Sequence, residues 1–258
     1  MTQDGAKRNQ KVVVVMPAYH AEKTLAQTVA DIPRDWVDDI LVVDDASTDR
    51  TVAVAESLGL PVIRHAENKG YGGNQKTCYA EALARGADVV VMVHPDHQYD
   101  PRLIPHLVAP LLSREADAVF GSRMLGGRFF EGGMPYWKFV GNVVLTAMGN
   151  LMLSMYLTEF HSGFRAYSRR ALETIPFEDN SDNFVFDTQM IIQCRRHGLS
   201  IHEVPISTRY FDEASQINFA DSCLYAWQIL ENLILYRLFR LGWCRPRFLV
   251  SSGRKAVP

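Results

Sequence analysis

Three apolar runs constrain the fold of this 258-residue chain more than any other feature: VVVVM at 12–16, ILVV at 40–43 and VVVMV at 89–93. None of them alternates apolar with polar residues. Each has the pattern of a strand covered on both faces, as in a parallel sheet with helices packed above and below it. The stretches between them have helical spacing. HAEKTLAQTVADIP repeats through Leu25, Thr28, Val29 and Ile32, TDRTVAVAESLG ends at Gly59, and GGNQKTCYAEALARG ends at Gly86. DPRLIPHLVAPLLSR opens with Pro101. Proline in a first helical turn and glycine after a last one are start and stop signals. LPVIRHAE and ADAVFGSR supply two further strands, so the alternation predicts an α/β fold, Rossmann-like, with a mainly parallel sheet flanked by helices.

The second half changes character. LGGRFFEGGMP is glycine-rich and predicts a mobile loop, with Gly126 to Gly133 as a candidate lid over a site. YWKFVGNVVLTAMGNLMLSMYL predicts a long apolar helix, TEFHSGFRAYS a turn, FDTQMIIQCRRHG a helix and LSIHEVPISTRYF a strand. The segment from Ser222 to Trp243 has about the ~20 residues needed to span a bilayer core. Glu231, Asn232, Arg237 and Arg240 interrupt it, however, and charge at mid-membrane is costly. It reads instead as an apolar C-terminal helical extension buried on several sides and resting on a membrane or a partner chain. The expected division is a disordered tail at 1–10, the α/β domain at 11–215, the apolar helix at 216–243 and a second tail at 244–258.

A formal net charge of −2, from 27 basic and 29 acidic residues, gives no basic field for nucleic acid, and none is expected as a partner. Cys78, Cys194, Cys223 and Cys244 lie far apart with no C-x-x-C pair, the pattern of reduced thiols in a cytoplasmic protein. The N-terminus is polar and VVVVM is too short for a signal segment. The expected location is cytoplasmic, with peripheral contact on the cytoplasmic membrane face, and the two apolar helices leave open a homo-oligomer in place of lipid contact.

Five strand ends carry polar clusters: Pro17-Ala18-Tyr19, Asp44-Asp45, Asn68-Lys69-Gly70, His94-Pro95-Asp96 and Gly121-Ser122-Arg123. In a parallel sheet these ends lie along one edge, where ligands bind. Taken alone each is ambiguous. Asp45, with Ser47 and Asp49, has equally the chemistry of a helix cap. NKGYGGN lacks the spacing of a dinucleotide fingerprint. His94-x-Asp96-His97 ends like an H-x-H-x-D-H hydrolase motif, but Met92, inside an apolar strand, stands where the first histidine is required.

As an ordered set, VVVVMPAYHAEKTL, ILVVDDASTDRT, NKGYGGNQKTCYAEALARGADVVVMVHPDHQYDP, VFGSRMLGG and HSGFRAYSRRAL resemble the family 2 glycosyltransferases with the GT-A fold. The branch they resemble is that of dolichyl-phosphate mannose synthase and the bacterial polyprenyl-phosphate glycosyltransferases. The resemblance runs from Val12 to Phe211. It implies an inverting transfer of a sugar from a UDP- or GDP-linked donor to an acceptor, here a polyprenyl or dolichyl phosphate, with a divalent metal, Mn²⁺ or Mg²⁺. It places Pro17, Tyr19, Glu22, Asp45 and Lys69 at the nucleotide and makes Asp96, Asp187 and Arg123 catalytic. VMVHPDHQYDP corresponds to the family's D-x-D metal motif, with His94 in place of the first Asp and His97 where glycine is common. Asp96 is then the principal metal ligand, with Gln98 and His94 beside it. Imidazole favours softer ions, which favours Mn²⁺. Asp187 and Gln189 lie where relatives place a carboxylate base, which a hydroxyl acceptor requires and a phosphate does not. Arg128, Lys138, Arg165 and Arg209 are the cations that would hold an acceptor phosphate, Arg165 being equally able to pin its loop to the sheet. The alternative is a non-catalytic nucleotide-sugar or lipid-binding scaffold with a degenerate metal motif.

Overall fold

The computed structural model describes residues 9–127, 133–208 and 219–250, with the backbone alone at 219–221. The described residues form a seven-stranded sheet: β1 (Val12–Ala18), β2 (Asp39–Asp44), β3 (Val62–Arg64), β4 (Val89–Met92), β5 (Ala118–Ser122), β6 (Arg165–Ser168) and β7 (Ile201–Pro205). Its order is β3-β2-β1-β4-β6-β5-β7. All neighbours are parallel except that β6 runs antiparallel to both β4 and β5.

The unbroken valine run of β1 works as its pattern predicts. Val12 through Met16 are wholly buried, and alternate residues serve opposite faces. Val13 and Val15 join one cluster with α3 (Gly70–Ala84) and α8 (Phe186–His197). Val12, Val14 and Met16 join another with α1 (Leu25–Ala30) and α4 (Ile104–Leu112). The remaining described helices are α2 (Thr51–Ser57), α5 (Arg123–Gly126), α6 (Tyr136–Leu153), α7 (Arg169–Thr174) and α9 (Phe219–Arg240). Gly59, Gly86 and Gly198 follow α2, α3 and α8 as the sequence suggests.

Three expectations differ from the structure. TEFHSGFRAYS, read as a turn, contains β6. Four residues opening on an arginine carry too little periodicity to announce a strand, and β6 exists because β4 and β5 each offer it a ladder. The helix expected as an appended element is α9, whose Ile229, Leu233 and Tyr236 are buried in the same cluster as sheet residues Phe120 and Tyr167. Asn232 bonds to Gln189 of α8 at 2.8 Å, so one residue that interrupts the apolar segment is an internal hydrogen-bond partner. The tail expected from residue 244 is packed to Leu249: Phe248 and Leu249 are buried, and Gln193 donates to the Phe248 carbonyl at 2.6 Å. Among the described residues no helix is long and apolar enough to cross a membrane. Of the candidate lid, residues 128–132 lie outside the described residues.

The order of connection reverses between β1 and β4, since β1 leads to β2 and β3 on one side and β4 to β6 and β5 on the other. Open α/β sheets bind ligands outside the strand ends at such a reversal.

Candidate active site

A cleft of ≈ 530 Å³ lies at this reversal, lined among others by Pro17, Tyr19, Asp45, Asn68, Tyr71 and Asp96. The end of β1 and the turn after it provide Pro17, Tyr19, His20, Ala21 and Thr24 on one side, and the start of α3 provides Gly70, Tyr71 and Asn74 on the other. Asp45 joins the two. Its Oδ1 lies 2.7 Å from His65 Nδ1 and accepts from the Lys69 amide at 2.9 Å, while Oδ2 accepts from the Gly70 amide at 3.1 Å. A carboxylate at a helix N-terminus is favourably placed electrostatically. Asp45 therefore shapes the Asn68–Gly70 turn as well as lining the cleft. The neighbouring Gly72 must be a glycine, because a Cβ there would stand 2.3 Å from the Ser181 carbonyl oxygen, and Gly72 N donates to the Asp182 carbonyl at 2.7 Å. This close approach brings Asn183 and Phe184 to the cleft's far side.

A smaller compartment of ≈ 140 Å³ adjoins it, lined by residues that include Gln98, Tyr99, His161, Gly163, Asp187 and Tyr225. Tyr71, His94, Asp96 and Phe184 line both. Asp96 thus stands on the seam. Its Oδ1 accepts from the Gln98 amide at 3.0 Å, and among the described residues Asp96 makes no other hydrogen bond or ion pair. His94 stacks on Tyr71 with ring centroids 5.5 Å apart and its Nε2 3.4 Å from the Tyr71 hydroxyl. Gly163 packs against the same ring, where a Cβ would come within 2.7 Å of His94 Nε2. Tyr71 donates to Asp187 Oδ2 at 2.7 Å, and burial, reinforced by that carboxylate, raises the phenol well above its ordinary range. His161 is lowered to about 4, first by burial, and is a neutral imidazole at neutral pH. Its Nδ1 lies 3.3 Å from the Tyr225 hydroxyl.

Of the residues picked out in the sequence, the structure brings Pro17, Tyr19, Asp45, His94 and Asp96 to the cleft, and His94, Asp96, Gln98 and Asp187 to the compartment. Others are elsewhere. Arg123, expected to be catalytic, is tied by its side chain and amide to the fully buried Glu159, its Nε donating to Oε1 at 2.6 Å. Burial opposes the charge on Glu159, but Arg123 and Asn142 more than offset it and hold its carboxyl below the usual range. Arg165, expected at the acceptor, is buried beneath the site. It donates to the carbonyls of Ser162 at 2.7 Å, Phe160 at 2.7 Å and Asp187 at 3.0 Å, with its guanidinium over the Phe120 ring. It pins the loop. Glu22 turns away from the cleft and accepts from the Arg50 amide at 3.0 Å, bracing α2. Lys69 contributes its amide to Asp45 while its side chain is exposed. Gln189 is spent on the Ser181 amide and on Asn232. Lys138 stands in the first turn of α6 over the Trp137 ring, its amine lowered by burial and by Arg123. Arg128 and Arg209 lie outside the described residues.

The cleft and the compartment also contain residues that sequence reasoning passed over. Tyr71, Phe184 and Tyr225 are aromatic residues in polar or helical settings, and only their packing shows which way they face. His97, by contrast, leaves the site. It adopts φ +56° and lies 3.0 Å from Asp31 Oδ2. A left-handed backbone is what makes glycine suitable at this position. His97→Gly relieves about 1 kcal/mol of backbone strain and gives up a contact with an aspartate already paired to Arg102. Its unfolding free energy is expected to stay within about 1 kcal/mol of the parent, whereas His97→Ala keeps the strain and loses the contact, costing about 1–2 kcal/mol. Urea unfolding of the two variants checks this; equal losses would show that the backbone angle is not what matters.

Among the described residues no three His, Cys, Asp or Glu side chains converge on one point to hold an ion unaided. A hard divalent ion does not need that. Mg²⁺-type sites commonly use one or two carboxylates and take the rest from substrate phosphates and water. Asp96, whose Oδ2 has no partner among the described residues, fits such a site, and Gln98 and His94 border it.

The profile of Glycosyl transferase family 2 matches residues 13–176. An uncharacterised protein of Methanocaldococcus jannaschii is 31% identical over 229 residues, covering 89% of this chain and 93% of its own. The UDP-N-acetylglucosamine–dolichyl-phosphate N-acetylglucosaminyltransferase of Methanococcus voltae is 30% identical over 216 residues, covering 77% of this chain and 86% of its own. The undecaprenyl-phosphate mannosyltransferase of Micrococcus luteus is 32% identical over 209 residues, covering 76% and 83%. In fold, glucosyl-3-phosphoglycerate synthase from Mycobacterium tuberculosis, solved with Mn²⁺, UDP and glucosyl-3-phosphoglycerate, superimposes with a TM-score of 0.69 at 20% identity, over 95% of this chain and 88% of that one.

Proposed function

This chain belongs to glycosyl transferase family 2, and from that premise we propose that it is an inverting enzyme transferring a sugar from a nucleoside diphosphate to a polyprenyl phosphate. The observation that carries the reading is the position of Asp96, on the seam between a cleft sized for a nucleotide and a second compartment. The names of the M. voltae and M. luteus relatives support a lipid phosphate as acceptor. The UDP named for the first of these and for the mycobacterial structure supports a uridine donor.

In this reading Pro17, Tyr19 and Asn68 border the nucleoside, with Asp45 holding the Asn68–Gly70 turn. The diphosphate lies toward Asp96, which with Gln98 and His94 would hold a divalent cation. Such a cation neutralises charge developing on the diphosphate as it leaves, without a proton transfer. The acceptor oxygen enters from the side of Tyr99, His161 and Tyr225 and forms its bond to the anomeric carbon opposite the departing oxygen. A phosphate acceptor arrives anionic and needs no base; Arg128 and Arg209 are the cations proposed to meet it.

The carboxylate of Asp187 in the acceptor compartment favours a second reading, in which the acceptor is a hydroxyl and Asp187 takes its proton. Asp187→Asn separates the two, since it abolishes transfer only where a base is needed.

The primary test is calorimetric binding of UDP and GDP with Mn²⁺, with Mg²⁺ and with EDTA. Metal-dependent binding of one nucleotide is expected, with Mn²⁺ the stronger partner. Binding indifferent to metal, with the donor left intact, would establish the scaffold alternative.

A further inference from the structure

The carboxylate of Asp45 is nearly saturated by the protein itself. A carboxylate accepts about four hydrogen bonds, shared equally between its oxygens. Oδ1 takes two, from His65 Nδ1 at 2.7 Å and from the Lys69 amide at 2.9 Å, and Oδ2 takes one, from the Gly70 amide at 3.1 Å. Among the described residues nothing else bonds to this side chain. One acceptor position remains, and it lies on Oδ2. The side chain is only 4% exposed, yet it lines the cleft sized for a nucleotide. The wall of the cleft therefore offers a ligand one hydrogen bond at this point, not two side by side.

His65 is what fills the second position on Oδ1. Its ring is buried and held from both ends. The His65 backbone amide donates to the Asp44 carbonyl at 2.9 Å, and Nε2 lies 2.9 Å from the Thr77 hydroxyl of α3. A ring nitrogen facing an acceptor-only carboxylate must carry the hydrogen, so Nδ1 is the donor. A nucleobase that meets Asp45 is then satisfied only if it brings a single N–H. Uracil does, with N3–H between two carbonyls. Guanine brings N1–H and its 2-amino group side by side, the pair that a carboxylate with both oxygens open accepts together. Here the amine would meet a filled oxygen. It would give up its hydrogen bonds to water for none in return, and a site rejects a ligand whose polar group it leaves unpaired.

We propose that His65 is a positioning residue that sets base specificity: by filling Oδ1 of Asp45 it makes that carboxylate a reader of one N–H, so that the cleft takes a uracil nucleotide and refuses a guanine one. This deepens the reading of a nucleoside diphosphate donor and rests on it. His65 acts through Asp45 and does not touch the base.

The test is calorimetric titration, with Mn²⁺ present, of the parent, His65→Leu and His65→Asn with UDP, 3-methyl-UDP, GDP and IDP. The methyl group of 3-methyl-UDP replaces the N3 hydrogen, and IDP is GDP without the 2-amino group. The parent is expected to bind UDP at least about tenfold more tightly than 3-methyl-UDP, and IDP at least about tenfold more tightly than GDP. His65→Leu opens the second position on Oδ1 and should bring GDP to within about threefold of IDP. His65→Asn, whose amide can donate close to the place of Nδ1, should keep the gap. A distorted turn would weaken every nucleotide alike, so the ratio of IDP to GDP affinity separates selection of the base from support of the fold. GDP bound as tightly as IDP by the parent would overturn the proposal, and this measurement needs no variant. So would a gap that survives in a folded His65→Leu. Binding that ignores the base would refute the selection and leave the nucleoside diphosphate reading standing, whereas a parent that binds none of these nucleotides would refute that reading and the proposal with it.

Discussion

Asp96→Asn is expected to slow transfer about 10³-fold, some 4 kcal/mol of transition-state stabilisation, with nucleotide binding weakened much less. The substitution keeps the shape of the residue and its acceptor for the Gln98 amide, and removes the negative charge. Nothing described beside it can replace that charge. Asp45 is occupied with His65, Lys69 and Gly70, and Asp187 is bonded to Tyr71. The measurement is single-turnover transfer at saturating metal, with calorimetry of the nucleotide on the same preparation. Turnover within a factor of ten of the parent would remove Asp96 from the chemistry and leave its place on the seam without a role.

The other large effect is on stability. Arg165→Met is expected to lower the unfolding free energy by about 3–5 kcal/mol, enough to leave a marginal domain largely unfolded. The methionine fills much of the volume but donates nothing. The carbonyls of Ser162, Phe160 and Asp187 would each lose a charged donor in the interior, at about 1–3 kcal/mol for each group left unsatisfied. Arg165→Lys should recover only part of this, because one ammonium cannot reproduce three directions of a planar fork. Urea denaturation reads the midpoint. A midpoint unmoved in Arg165→Met would mean that the loop carrying His161 and Gly163 holds its shape by other means.

The contrast between Asp96 and Arg165 also explains how far the sequence was legible. The cleft's lining could be read because it is assembled from short segments at the ends of recognisable strands: Pro17 and Tyr19 at the end of β1, Asp45 after β2, His94 and Asp96 after β4. There the strand pattern itself tells where a polar residue points. The arginines had no such guide. Arg123 follows β5 as Asp96 follows β4, yet Glu159, 36 positions later, draws it away, and no local pattern announces a partner at that separation. Arg165 sits inside β6, the strand too short to have a period. Tyr71, Phe184 and Tyr225 escaped for a related reason. An aromatic side chain suits a core and a ligand wall equally, and the close approaches at Gly72, to Ser181 and Asp182, and at Gly163, to His94 and Tyr71, are made by chain segments distant in sequence.

The reversed strand has a consequence for the order in which the molecule can be made. β3, β2, β1 and β4 pair among themselves, so this half of the sheet can close once about the first ninety residues are available. β5 cannot join it then, because β6, supplied by Arg165–Ser168, lies between β4 and β5. A nascent chain therefore carries β4 with an open edge and β5 with no partner through the synthesis of all of α6, a long apolar helix whose Val144 and Leu151 are exposed. Unpaired edges and exposed apolar surface are the usual starting points of misassembly. The interval between Ser122 and Arg165 is thus the vulnerable period of biogenesis, and it ends when a four-residue strand arrives to join β5 to the sheet.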